Sequence, residues 1–158
     1  MSNPTPMSPV LLSRYLGQQY PPTDQQAAVI GAEPGPLLVV AGAGAGKTET
    51  MAARVVWLVA NGYARPDEVL GLTFTRKAAQ EMGKRIRDRL GSLAANTDLV
   101  HRLDPSGELA DNLQVIAPSV STYDSYAGEL IREYGLLVPV EPDARLITDA
   151  ELHAIATD

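Results

Sequence analysis

Residues Ala41-Gly42-Ala43-Gly44-Ala45-Gly46-Lys47-Thr48 join a run of the smallest side chains to an ammonium and a hydroxyl. Such side chains let the backbone approach an anion closely, and successive N–H groups in a turn of this kind form a concave nest for phosphate oxygens. A helix starting at the end of the run adds the positive end of its dipole. The spacing is that of the phosphate-binding loop of nucleoside triphosphatases, with Ala41 where the strict pattern has its first glycine. In that chemistry the backbone of Ala41, Gly42, Ala43, Gly44, Ala45 and Gly46 cradles a polyphosphate. Lys47 reaches the β- and γ-phosphates, and the Thr48 hydroxyl ligates Mg²⁺. The bland alternative is a glycine-rich strand-to-helix turn with an incidental lysine. A dinucleotide site of the Rossmann type is disfavoured, because Lys-Thr closes the loop.

A second group of candidates lies downstream. Phe74 is the only phenylalanine, and it falls at the end of the apolar run Val69–Phe74, where α/β sheets present their ligand sites. An exposed ring there can stack on a base, and Arg76 and Lys77 beside it can hold phosphates. Core packing is the competing role for Phe74, and helix capping for Thr75. Between Arg76 and Arg89 stand six basic and two acidic side chains, a local +4 in a chain of net charge −6. Such an island marks either an anion-binding face or the solvated surface of a helix.

The elements that must position these residues follow from local pattern. Ser8-Pro9 reads as N-cap and first turn of a helix ending at Gly17, and Thr23 to Gln26 is a capping box opening a second. The unbroken apolar run Leu37–Ala41 predicts a central parallel strand buried on both faces. The helix after the loop has Met51, Val55, Leu58 and Val59 at core-facing spacing and closes at Asn61-Gly62. Val69–Phe74 predicts a second strand. Thr75 caps a helix with an inner stripe of Ala78, Ala79, Met82, Ile86 and Leu90, stopped by Gly91. Residues 92–112 are weakly patterned and read as a loop or irregular helix. Val120–Thr122 is a short strand, and Asp124–Tyr134 a helix with Tyr126, Ala127, Leu130 and Ile131 inward. Arg145–Ile147 reads as a last strand, and Thr148–Glu151 as a capping box opening a last helix. Alternating strands and helices imply an α/β fold with a parallel sheet covered on both faces.

Three blocks of this sequence resemble the N-terminal motor domain of UvrD/Rep-type superfamily 1 DNA helicases. Pro22-Thr23-Asp24-Gln25-Gln26-Ala27-Ala28-Val29 is similar to the family's Q motif, the phosphate loop is the second block, and Leu72-Thr73-Phe74-Thr75-Arg76-Lys77-Ala78-Ala79 resembles motif Ia. Val120–Ser125 is similar, more weakly, to motif Ib. The resemblance runs from about Pro22 onward. It implies a P-loop, RecA-like fold, ATP with Mg²⁺, and single-stranded DNA as partner. By the motif matches Gln25 recognises adenine, Lys47 and Thr48 act on the phosphates and the metal, and Phe74, Thr75, Arg76, Lys77, Thr122 and Tyr123 contact DNA. Two positions depart from the family pattern. Glu49 stands where many relatives carry an arginine that packs on adenine, and Asp124 stands where motif Ib usually has histidine. These details look most like a motor subunit of an AdnAB-type helicase–nuclease, which would imply a second subunit as partner.

Composition narrows the rest. No run approaches the roughly 20 apolar residues of a membrane span, the first residues lack the pattern of a secretory signal, and there are no cysteines; a cytoplasmic protein is expected. The expected organisation is an N-terminal extension, residues 1–20, and a P-loop α/β portion, residues 21–158, truncated from a longer protein. After Thr48 no apolar strand ends in Asp-Glu, so the chain by itself is expected not to hydrolyse ATP efficiently. The rival readings are a self-contained P-loop phosphotransferase and a non-catalytic nucleotide-binding module.

Overall fold

The structure, a computed structural model, describes residues 5–115 and 117–137. The chain divides into two compact units, one up to Ser121 and one from Thr122 onward. In the first, Ser8 caps α1 (Pro9–Tyr15), its hydroxyl accepting from the Leu11 N–H, and proline takes the first turn. Thr23 caps α2 (Asp24–Ile30) in the expected reciprocal box: its hydroxyl accepts from the Gln26 N–H, and the Gln26 side chain accepts from the Thr23 N–H. The phosphate-loop segment leads into α3 (Lys47–Ala60). A short 3₁₀ turn, Pro66–Glu68, precedes β1 (Leu70–Thr73). Then come α4 (Arg76–Ala95), α5 (Thr97–Leu103), α6 (Glu108–Val115) and β2 (Ser119–Thr122). In the second unit α7 (Tyr123–Tyr134) runs into a 3₁₀ turn, Gly135–Leu137.

Among the described residues the sheet is short and parallel, β1 beside β2, with the Ser119 N–H donating to the Val69 carbonyl at 3.1 Å. Gly71 lets the strands and α4 close together: a Cβ there would lie 3.3 Å from the Val120 methyls and 3.6 Å from the Met82 sulfur. The core sits between α3 and α4. Val56, Val59, Ile86 and Leu93 are essentially inaccessible, and Leu12, Ile30, Leu99 and Leu109 join the same cluster from the surrounding helices. Two polar devices fasten the loop's flanks to this core. The Trp57 indole donates to the Met7 carbonyl at 2.6 Å while the Met7 N–H donates to Asn61 Oδ1 at 2.7 Å. Arg54 Nη1 donates to the Val29, Ile30 and Ala32 carbonyls at 2.9, 3.1 and 2.8 Å, satisfying the open C-terminal end of α2.

Several expectations are corrected. Residues 37–41 form no strand, and Leu38 and Val40 are 88% and 87% exposed rather than buried on both faces. A central parallel strand needs hydrogen-bonded neighbours and helices over both faces, and β1 and β2 pair with each other instead. An apolar run announces readiness for such a place and cannot supply the neighbours. The buried face of α3 is also turned from the expected one, with Ala52, Val56, Trp57 and Ala60 inside beside Val59, and Met51 half exposed. Gly91 does not stop α4; the helix continues four residues to Ala95, which carries Leu93 into the core. The 92–112 stretch is two further helices. Asn96 caps α5 through Leu99 N–H, and Asp104 holds the Leu109 N–H at the start of α6. In α7 none of the proposed inward residues is buried, and Leu130 and Ile131 are 41% and 36% exposed. Amphipathic spacing says which face a helix offers and leaves the covering surface to the rest of the fold. The expected elements at 145–147 and 148–156 lie outside the described residues.

Candidate functional site

The phosphate-loop segment turns on two glycines in the left-handed region, Gly44 at φ 76° and Gly46 at φ 72°. Side chains with a Cβ rarely adopt that geometry, so glycine is required there by the backbone. Gly46 is the N-cap residue of α3, so the turn feeds directly into the positive end of a fourteen-residue helix. Lys47 folds back over the turn, its ammonium donating to the Ala41 and Gly42 carbonyls at 2.9 and 3.3 Å. The Thr48 side chain is exposed, whereas Thr50 is buried with its hydroxyl donating to the Gly46 carbonyl at 3.0 Å. Successive small residues, an exposed cation and an exposed hydroxyl at a helix start therefore lie on one turn. This donor set fits a magnesium-bound triphosphate: N–H groups for phosphate oxygens, an ammonium for terminal charge, and a hard oxygen for Mg²⁺.

Two glutamines separate at this site. Gln25 is exposed on α2, while Gln26 faces the loop, its Nε2 donating to the Ala45 carbonyl at 3.3 Å. Sequence reasoning gave Gln26 a capping role only. Nothing in a capping box reveals that the same amide reaches a segment nineteen residues on. Beside the loop opens a cavity of about 490 Å³ between α1, α2 and α3, bordered by Tyr20-Pro21-Pro22, Gln26, Glu49, Thr50 and Arg89 of α4. Glu49 ties α3 to α4 there. Its Oε2 accepts from Arg85 Nη1 at 2.6 Å, and its Oε1 pairs with Arg89. Burial holds the Arg89 guanidinium below its usual pKa, though a guanidinium remains charged at any ordinary pH. The basic island is thus largely absorbed into pairs: Lys84 with Asp88 at 3.4 Å, Lys77 with Glu81 at 4.0 Å, and the two arginines with Glu49.

At the carboxyl end of β1, Phe74 is 90% exposed, so core packing is not its place among the described residues. Thr75 caps α4 through the Ala78 N–H at 3.1 Å, and Thr73 Oγ1 donates to the Thr75 carbonyl at 3.0 Å. Arg76 and Lys77 follow, both exposed on the first turn of α4. The cap thereby sets a phenyl ring and two cations on one corner. In the second unit Thr122 is buried, caps α7 through the Ser125 N–H at 3.2 Å, and donates its hydroxyl to Ser125 Oγ at 2.8 Å; Tyr123 is half exposed and Asp124 exposed. Thr122 is thus occupied as a structural cap. Among the described residues no group of three or more His, Asp or Glu side chains is arranged to hold a metal ion. No helix among them is long and apolar enough to cross a membrane.

The first unit thus carries a phosphate-loop turn at a helix start and an exposed aromatic corner at the carboxyl end of β1. Residues 22–157 match the model of the UvrD/REP helicase N-terminal domain, and the chain belongs to that family. It is 54% identical over 66 residues to DNA helicase IV of Escherichia coli, a stretch covering 42% of this chain. It is 29% identical over 136 residues, 86% of the chain, to the ATP-dependent DNA helicase SRS2 of Saccharomyces cerevisiae. It is 48% identical over 64 residues, 40% of the chain, to the ATP-dependent DNA helicase UvrD2 of Mycobacterium bovis. The matched stretches span about a tenth of the length of each of these relatives: 10%, 10% and 9%.

Proposed function

We propose that this chain is the N-terminal part, 21–158 with a short extension at 1–20, of the ATP-binding domain of an ATP-dependent single-stranded-DNA translocase and helicase acting in DNA repair or recombination. The observation that carries the reading is the family match over residues 22–157, joined to a phosphate-loop turn whose glycines take left-handed backbone angles at a helix start. In this reading the Ala41–Gly46 backbone and Lys47 bind the triphosphate of ATP, Gln25 recognises adenine, and Thr48 holds Mg²⁺. Bound magnesium neutralises phosphate charge and fixes the orientation of the terminal phosphate. Lys47 exchanges its two backbone carbonyl acceptors for phosphate oxygens, a stronger charge-assisted pairing. Phe74 stacks a base, Arg76 and Lys77 hold the strand's phosphates, and Thr75 contacts the strand beside them. In the second unit, Thr122 and Tyr123 are assigned a DNA contact by the motif resemblance alone. Support comes also from the relatives, whose names are those of DNA helicases.

The 158 residues alone hydrolyse ATP at or near background, because the sequence holds no apolar strand end in Asp-Glu after the loop to place metal and water. The deciding experiment is Lys47→Ala in the full-length protein. DNA-stimulated ATP hydrolysis and unwinding of a tailed duplex are both expected to vanish, since the terminal phosphates lose their main cation. Near-normal turnover in that variant overturns the loop's assignment. Robust magnesium-dependent hydrolysis by the pure 158-residue chain favours the self-contained phosphotransferase instead.

A further inference from the structure

The cavity beside the phosphate loop contains a charged group that its surroundings satisfy only on one side. The Arg89 side chain is 15% exposed. Its Nη2 pairs with Glu49 Oε1, whereas its Nη1 is buried without a hydrogen-bond partner among the described residues. Leaving a buried charged donor without an acceptor is costly, more so than for a neutral group. The carboxylate that holds Arg89 is itself shared with Arg85, Oε2 pairing with Arg85 and Oε1 with Arg89 Nη2.

Three features indicate that the missing acceptor is a bound molecule. The cavity is of about 490 Å³, inside the range of roughly 300–1,000 Å³ common to small-molecule sites. Its walls combine apolar surface, Leu12, Ile30 and Val56, with a few converging polar groups. It adjoins the loop through covalent and hydrogen-bonded neighbours: Glu49 and Thr50 directly follow Lys47-Thr48, and Gln26 both lines the cavity and bonds the Ala45 carbonyl. A ligand with phosphates on the loop therefore has its other end within reach of this cavity. A flat heteroaromatic ring suits it best, because its faces are apolar while its ring nitrogens accept hydrogen bonds in the plane.

Resting on the reading of the loop as a triphosphate site, we propose that Arg89 is a specificity-determining residue of nucleotide binding: its Nη1 donates to a ring nitrogen of the purine base, with Glu49 as its positioning residue. The base-reading cation is delivered from α4, and Glu49 aims it through its Oε1. Position 49 is thus a tether for the base-reading group.

The test is calorimetric titration of the full-length protein, in Mg²⁺, with a non-hydrolysable ATP analogue and separately with inorganic tripolyphosphate, which has no base. For Arg89→Ala the analogue's affinity is expected to fall roughly ten- to a hundredfold, the usual weight of a hydrogen bond to a charged group, with tripolyphosphate affinity unchanged. Arg89→Lys recovers part of the loss, having charge without the planar fork. Glu49→Gln gives a smaller loss in the same direction. Equal weakening of both ligands by Arg89→Ala means that Arg89 acts only through its field, and unchanged binding of both means that it does not meet the base; either result overturns the proposal. If Arg89→Ala fails to fold by circular dichroism, Arg89→Met, which keeps the aliphatic stem, is read by the same criteria. Lys47→Ala reports on the loop separately: both ligands weaken together if the loop binds triphosphate, and neither does if that reading fails.

Discussion

A phenyl ring left in water forgoes the roughly 1.5–3 kcal/mol that its burial would contribute, and Phe74 is 90% exposed. Thr75 and Thr73 hold the corner on either side of it in hydrogen bonds. Truncation there should leave the fold intact, because little buried area is lost. If the ring stacks a base, Phe74→Ala in the full-length protein is expected to lose about 1–3 kcal/mol of single-strand affinity. Arg87→Ala, elsewhere on α4, should change it little. Fluorescence anisotropy with a short labelled strand measures both, with circular dichroism as the fold check. A folded Phe74→Ala variant that binds normally removes Phe74 from the strand-contacting residues.

At the scale of elements, capping explains most of what local sequence achieves here. Ser8, Thr23, Thr75, Asn96 and Thr122 each place a side-chain oxygen on the N–H three residues on. Asp104 does similar work before α6. One oxygen accepts from the Ser106 hydroxyl and N–H at 2.6 and 2.9 Å, the other from the Leu109 N–H at 2.8 Å. The Ser106 hydroxyl bond, followed by the backbone N–H bonds, holds the Asp104 carboxyl below the ordinary aspartate range. A depressed folded pKa means that the folded state favours the ionised form. The stabilisation is complete above the unfolded value of about 3.9 and is lost as pH falls through the lower folded value. In acid titration followed by amide hydrogen exchange, α6 is expected to lose protection in that window. Asp104→Asn should flatten this dependence, and an unchanged acid profile in that variant removes Asp104 from the cap.

For the whole molecule the decisive quantity is where charge is left over. The chain carries −6 overall, and most of the basic island is spent in ion pairs, so single-strand binding by these residues rests on few cations. The Lys77–Glu81 pair, at 4.0 Å with the lysine side chain 86% exposed, is too solvated to hold Lys77 away from a phosphate. Each phosphate contact to a single strand contributes about −0.7 to the slope of log affinity against log salt. Lys77→Ala in the full-length protein is therefore expected to reduce that slope by about 0.7 and to weaken all sequences alike. A slope equal to that of the unsubstituted protein means that Lys77 makes no phosphate contact. The 158-residue chain alone should bind weakly, and less still as salt rises.

Chemistry confined to one short stretch could be read without the fold. The loop's composition, the helix caps and the Thr75 corner all depend on interactions within a few residues, and the structure returns those helix caps where the pattern places them. What needed tertiary structure was everything that depends on a partner distant in sequence. Leu37–Ala41 has a strand's composition but no ladder among the described residues, because pairing is supplied by neighbours. Gly91 has the residue type that ends helices, yet the burial of Leu93 at 0% exposure carries α4 past it. Gln26 meets the loop across nineteen residues, and Glu49 meets Arg85 across thirty-six. The basic residues of α4 read in sequence as an anion-binding face or a solvated helix surface, and a helix turning 100° per residue distributes them around its axis. Only the packing of α3 against α4 decided which of them face Glu49 and the cavity.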